Sequence, residues 1–325
     1  MKKYIALCLV LLLCLPFAAG CATGNGGERG TLSVVCTTYP EYDWVRELLG
    51  DRKDTVKLTL LLDSSADLHN YQPTAKDILT VANCDLFIYI GGESDDWVPG
   101  VLQQSGKEGR LTLNLTEALG NAVLEEEKPD GAEEDDHNHD RDHDHEEEEH
   151  VSDEHIWLSL RNAKTLCAAI AEKLAAIDPA GADIYRENCA AYTEKLTALD
   201  EAYTTAIAAA PKKELVFGDR FPFRYLAHDY GLTCAAAFAG CSAESEASFE
   251  TILRLARRVD EWGLSAVMAI EGSNHDLAKT VISSTTEKNQ KLLVLNSLQS
   301  VTGKDGMTYL RAMEDNLSVL REALQ

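Results

Sequence analysis

The stretch that decides the fold is "AGADIYRENCAAYTEKLTALDEAYTTAIAA", Ala180 to Ala209, which has no proline and no glycine after Gly181. Ile184, Asn188, Tyr192, Leu196, Leu199, Tyr203 and Ile207 recur every three or four positions and, Asn188 apart, form an apolar or aromatic face. That period belongs to one amphipathic helix, about 45 Å long at 1.5 Å per residue. Pro179 marks its start and Pro211 its stop.

What flanks this helix sets the architecture. Upstream, "TLSVVCTT", "TVKLTLLL" and "DLFIYI" each precede an amphipathic run: "EYDWVRELLG", "PTAKDILTVA" and "DDWVPGVLQQ". Downstream, "ELVFG", "LTCAAAF", "SAVMAI" and "LLVLN" alternate with helical patterns, ending in "MTYLRAMEDNLSVLREAL". Strand-like and helical runs in alternation call for parallel sheets covered by helices. The expected fold is therefore α/β, with two parallel-sheet lobes bridged by one long helix. The lobes span 31–179 and 211–325, and the linking helix 180–210. A strut of that length restricts large hinge motion.

The N-terminus reads as an export signal over 1–20. Lys2 and Lys3 precede a mostly apolar run from Ile5 to Phe17, too short to span a bilayer comfortably. "AAGC" then ends at Cys21 in the manner of a bacterial lipobox, so Cys21 is the expected lipidation site and 21–30 a polar, glycine-rich tether. Once Cys8, Cys14 and Cys21 are set aside, Cys36, Cys84, Cys167, Cys189, Cys234 and Cys241 remain. Export permits disulfides, and Cys167–Cys189, on consecutive helices, is the expected pair. No CxxC occurs, which disfavours a thiolate zinc site.

The 325-residue chain carries 30 basic and 54 acidic residues, a formal charge of −24. Such a balance argues against nucleic acid and for cations as partners. Glu125 to His150 alone holds 15 acids and 2 bases, together with His137, His139, His143, His145 and His150. With almost no apolar residues this segment cannot bury a core and reads as a disordered loop, an auxiliary collector of metal ions or simply a solvated acidic insert. Its removal is expected to leave one tight metal site elsewhere.

Two further histidines stand in better-defined places. "DLHNYQPT" puts His69 between a strand and a helix, beyond the C-terminal end of a parallel strand, where ligands collect. In "SDEHIWLSLRNA", the apolar "IWL" fixes His155 just after the acidic insert. A held imidazole suits a metal ligand, although a loop histidine stacked on Trp157 fits the same residues.

"DLHNYQPTAKDI" and "DEHIWLSLRNA", in this order with a His/acid-rich loop before the second, resemble the zinc- and manganese-binding solute-binding lipoproteins of ABC transporters (the cluster A-I, adhesin-type family). "FRYLAHDYGL", "AESEASFETI" and "TYLRAMEDNLSVLREAL" extend the likeness over the mature chain. The resemblance implies a metal cleft between the lobes, His69 and His155 as N-lobe ligands, and a membrane permease as partner. It also implies a monomeric receptor that captures Zn2+ and delivers it without turnover.

Two customary C-lobe ligands are missing. Arg220 stands where the family places a third ligand, five residues before Tyr225, and Asn296 stands at the usual late aspartate. A guanidinium stays protonated and cannot ligate. His275, after "SAVMAI", is the expected repair, Asp219 the expected fourth ligand and Glu271 the runner-up. Three imidazoles and one oxygen favour zinc over manganese, with affinity falling as pH drops through about 6.5. A Mn2+ or Fe2+ receptor, or a metal-buffering surface adhesion lipoprotein, remains as the alternative. No GxxxxGK[ST], HExxH or GxSxG motif supports an enzyme.

Overall fold

The computed structural model describes residues 31–63, 68–103, 106–126, 130, 152–240, 247–303 and 306–325. The signal peptide, Cys21, the tether and the insert histidines His137, His139, His143, His145 and His150 lie outside them.

The first lobe contains β1 (Leu32–Cys36), α1 (Tyr39–Leu49), β2 (Val56–Leu60), α2 (Ala75–Ala82), β3 (Leu86–Tyr89), α3 (Val98–Gln103), β4 (Leu111–Asn114), α4 (Leu115–Leu119) and α5 (Leu160–Ile177). Its strands form a four-stranded parallel sheet in the order β2-β1-β3-β4. The long helix α6 (Ala182–Ala209) follows a short 3-10 turn at Pro179–Gly181. The second lobe contains β5 (Glu214–Phe221), α7 (Arg224–Tyr230), β6 (Thr233–Ala239), α8 (Phe249–Trp262), β7 (Ala266–Ile270), α9 (Asp276–Ser284), β8 (Lys291–Leu295) and α10 (Tyr309–Ala323). Its sheet is also parallel, ordered β6-β5-β7-β8. Strands such as Leu86–Tyr89 and Ala266–Ile270 are apolar throughout because helices cover both faces of a parallel sheet. The expected two-lobed α/β architecture is the observed one.

Helix α6 buries Tyr185, Cys189, Tyr192, Leu196, Leu199, Tyr203 and Ile207. The expected face therefore holds from Tyr192 onward and is one residue off before it, since Ile184 is exposed and Asn188 only half-buried. The aromatic Tyr185 and the thiol of Cys189 take the inner positions, and Asn188 instead donates from Nδ2 to the Leu48 carbonyl on α1 at 2.9 Å. At the other end Tyr203 donates to the Met313 carbonyl on α10 at 2.6 Å. One helix is thus hydrogen-bonded to both lobes, as a strut must be.

Other bonds tie the lobes directly. Trp157 Nε1 donates to the Ser297 carbonyl at 2.8 Å, and the Tyr309 hydroxyl to the Trp157 carbonyl at 2.6 Å. Asp43 on α1 accepts the Tyr309 backbone N–H at the start of α10, 2.8 Å away. The expected Cys167–Cys189 bridge is not formed. Both are free thiols, as are Cys36, Cys84 and Cys234, while Cys241 lies outside the described residues. Cys189 Sγ is 4.0 Å from Thr193 Oγ1, and burial pushes the Cys167 thiol well above its ordinary range, so both sulfurs rest as neutral packing groups.

Candidate metal centre

His69 lies in the 3-10 turn Leu68–Asn70, beyond β2, and His155 immediately precedes the 3-10 turn Ile156–Leu158. The buried "IWL" side chains pin the second turn in the core, and the His155 ring has no solvent exposure. Its edge meets Trp157 with centroids 5.3 Å apart, so the aromatic contact expected of an ordinary loop histidine is also present. The two imidazoles face each other, His69 Nε2 lying 3.3 Å from His155 Nε2.

The neighbours of these rings fix where their protons sit. Asp153 Oδ1 is 3.0 Å from His155 Nδ1 and also accepts the His155 backbone N–H at 2.8 Å. A carboxylate only accepts, so His155 holds its proton on Nδ1 and presents a lone pair at Nε2. His69 Nδ1 is 3.0 Å from Ser94 Oγ, and Ser94 in turn donates its hydroxyl to Glu154 Oε2 at 2.5 Å. With that proton committed, Ser94 accepts from His69 Nδ1, and His69 Nε2 also carries a lone pair. Burial raises the Glu154 carboxyl above its ordinary range, against the Ser94 hydrogen bonds that lower it.

Two lone pairs at this separation repel unless a positively polarised group sits beside them. Gln299 supplies one: its Nε2 is 2.5 Å from His155 Nε2 and 3.2 Å from His69 Nε2. Gln299 belongs to the second lobe, on the loop after β8, so the three side chains close the space between the lobes. Rotation of the amide by half a turn brings its carbonyl oxygen to the same point.

The loop that carries Gln299 is stiffly built. Glu271 accepts both the backbone N–H and the hydroxyl of Ser297, at 2.6 and 2.7 Å. Burial raises the Glu271 carboxyl, again opposed by the Ser297 bonds. Asn296 Oδ1 accepts the Leu298 backbone N–H at 2.8 Å, and Asn316 pairs with the Asn296 backbone through both amide atoms. Leu298 is left-handed at φ 64, a conformation that costs a non-glycine residue about 1–3 kcal/mol and here turns the chain toward the imidazoles. Across the gap, a Cβ on Gly240 would lie 2.9 Å from the Phe221 carbonyl and 3.0 Å from His155 Cε1, so the second lobe touches the His155 ring at a point with no room for a side chain.

The other expected ligands occupy different places. Asp219 accepts from Ser273 Oγ at 2.8 Å, from Ile270 N at 3.3 Å and from Arg220 N at 2.9 Å, all within the second lobe. His275, left-handed at φ 61, holds its Nε2 3.1 Å from the Ile270 carbonyl. Among the described residues no three His, Cys, Asp or Glu side chains gather to hold an ion. The structure thus brings His69 and His155 together and adds Gln299, whereas Asp219 and His275 brace the turn after β7. Glu271 and Asn296 shape the Gln299 loop. The sequence reading passed over Gln299; the available signal was its place beyond the C-terminal end of β8, where parallel sheets bind ligands.

A metal ion fits this donor set in part. Two imidazole nitrogens and one amide oxygen make three donors, and zinc completes a tetrahedron with one water.

Comparison with known proteins bears on the two-lobed fold and on the family of the chain. The zinc-binding lipoprotein AdcA of Streptococcus pneumoniae is 33% identical over 318 residues, which cover 97% of this chain and 60% of that protein. The chain thus spans about 60% of the length of the AdcA relatives it matches. The high-affinity zinc uptake system protein ZnuA of Bacillus subtilis is 29% identical over 330 residues, 99% of this chain and 98% of that one. Among solved structures, the Zn(II)-bound ZnuA-like domain of Streptococcus pneumoniae AdcA superposes with a TM-score of 0.70 at 30% identity, covering 91% of this chain and 99% of the domain. The metal-dependent lipoprotein YcdH of Bacillus subtilis superposes with a TM-score of 0.72 at 28% identity, covering 90% and 99%. Residues 34–323 match the family described as zinc-uptake complex component A, periplasmic, and the chain belongs to that family, ZnuA.

Proposed function

We propose that this protein is the extracytoplasmic receptor of a zinc-importing ABC system, anchored by lipid at Cys21, monomeric, and delivering Zn2+ to a membrane permease. His69 and His155 bind the ion through Nε2, Gln299 turns its carbonyl oxygen inward, and water fills the fourth position. The observation that carries this reading is the convergence of two Nε2 lone pairs 3.3 Å apart on an amide from the opposite lobe. The names of the relatives support the choice of ion. So does the chemistry, since imidazole donors suit zinc better than manganese, which prefers carboxylate and water. Asp219 and His275 join the ion only by giving up Ser273 and the Ile270 carbonyl, so in this reading they stay in the turn. The insert histidines His137, His139, His143, His145 and His150 act as a weak auxiliary collector of ions.

The test is a zinc competition titration on the purified mature protein, parent and His69→Ala, alongside growth of a deletion strain under zinc starvation. The reading expects one tight site that is lost in the variant, and growth that returns when zinc is supplied. A variant as tight as the parent, or a deletion strain indifferent to zinc, overturns it.

A further inference from the structure

The tripeptide Asp153-Glu154-His155 serves both imidazoles, and its middle residue does something the first cannot. Asp153 holds His155 directly. Glu154 Oε2 is 3.6 Å from His69 Nδ1, beyond direct hydrogen-bond reach, whereas the Ser94 hydroxyl is 3.0 Å from the same nitrogen. A hydroxyl donates as readily as it accepts. Left to itself, Ser94 could donate to His69 Nδ1, placing the ring proton on Nε2 toward His155 Nε2, and a direct imidazole–imidazole hydrogen bond would then replace the metal position. Glu154 removes that freedom. Its two oxygens take the Ser94 hydroxyl at 2.5 Å and the Ser94 backbone N–H at 2.7 Å. The carboxylate is almost fully buried, and it lies so close to Gly92 (φ 154) that a Cβ there would stand 2.3 Å from Oε1.

We propose that Glu154 is a positioning residue for His69: by fixing the direction of the Ser94 hydroxyl it keeps the His69 proton on Nδ1 and so keeps Nε2 open to the ion. This rests on the cleft reading above, and it extends that reading to residues outside contact with the metal. Glu154→Gln is the sharpest test, because an amide N–H can donate to Ser94 Oγ and reverse its hydroxyl. Two readouts are taken on the full mature protein: the imidazole tautomers of the metal-free form by 15N NMR, and zinc affinity by chelator competition. Glu154→Gln and Ser94→Ala are expected to move His69, but not His155, away from the Nδ1–H tautomer and to weaken zinc binding about 10-fold or more. Ser94→Thr, which keeps the hydroxyl, is expected to restore both. The proposal is overturned if His69 stays Nδ1–H in Glu154→Gln, or if affinity changes less than about twofold while the tautomer moves. Should Glu154→Gln fold poorly, the Ser94→Ala and Ser94→Thr pair gives the same decision. Should the parent itself bind no zinc, the cleft reading fails, and the tautomers of the metal-free protein still decide the role of Glu154.

Discussion

The two lips of the cleft are built on different plans. The first lobe presents two imidazoles, each with its proton assigned by a buried carboxylate, Asp153 directly and Glu154 through Ser94. The second lobe presents a neutral amide, Gln299, and uses its nearby carboxylates Glu271 and Asp219 to hold backbone. These carboxylates therefore serve as supports, and among the described residues no three His, Cys, Asp or Glu side chains gather where the imidazoles converge. The contrast teaches that a donor is identified by what holds it in place as much as by its residue type. His275 has the right chemistry, yet its ring is held on the Ile270 carbonyl; Gln299 has weaker chemistry, yet the Leu298 turn aims it at both rings.

The contrast can be broken most forcefully from the first lobe. His155→Ala removes one of two imidazoles and is expected to lower zinc affinity at least about 100-fold in a competition titration, since zinc cannot keep four donors. From the second lobe, Gln299→Ala is expected to weaken binding about 10-fold, and Gln299→Glu, which adds a charged oxygen, to tighten it beyond the parent. If Gln299→Ala binds like the parent, the second lobe supplies no donor and the contrast disappears. Gly240→Ala presses the second lobe on the His155 ring; a destabilisation of about 1–3 kcal/mol by urea titration is expected, with affinity falling less than in Gln299→Ala. His275→Ala is expected to change affinity by less than about twofold, within the scatter of a position that does not touch the ion. An effect of His275→Ala as large as that of Gln299→Ala would restore the plan expected from sequence.

The parts of the protein legible in the sequence are those where one physical signal dominates. The long helix showed as a period, the parallel sheets as alternating runs, and His69 and His155 as histidines at strand and turn boundaries. The first turns of α6 were misplaced by one residue because Ile184 and Asn188 keep a spacing of four that drifts off the true seam, which Tyr185 and Cys189 occupy. The second-lobe candidates lie apart from the imidazoles for a related reason. Residue type marked Asp219 and His275, but their roles are set by hydrogen bonds to Ser273 and Ile270, contacts that no spacing reveals. Gln299 was invisible because a glutamine three residues past Asn296 reaches the two imidazoles only through the left-handed turn at Leu298. Cys167 and Cys189 were correctly placed on consecutive helices, yet adjacency of helices does not dictate a bond between their thiols.

Crystals of the mature protein grown with zinc, with diffraction collected on both sides of the zinc absorption edge, locate the ion without reference to any sequence motif. The cleft account predicts one strong anomalous peak between the lobes, about 2.0–2.1 Å from Nε2 of His69 and of His155, with the Gln299 carbonyl oxygen turned toward it at about 2.0–2.2 Å. A peak beside His275 and Asp219 with none between the two imidazoles would contradict it.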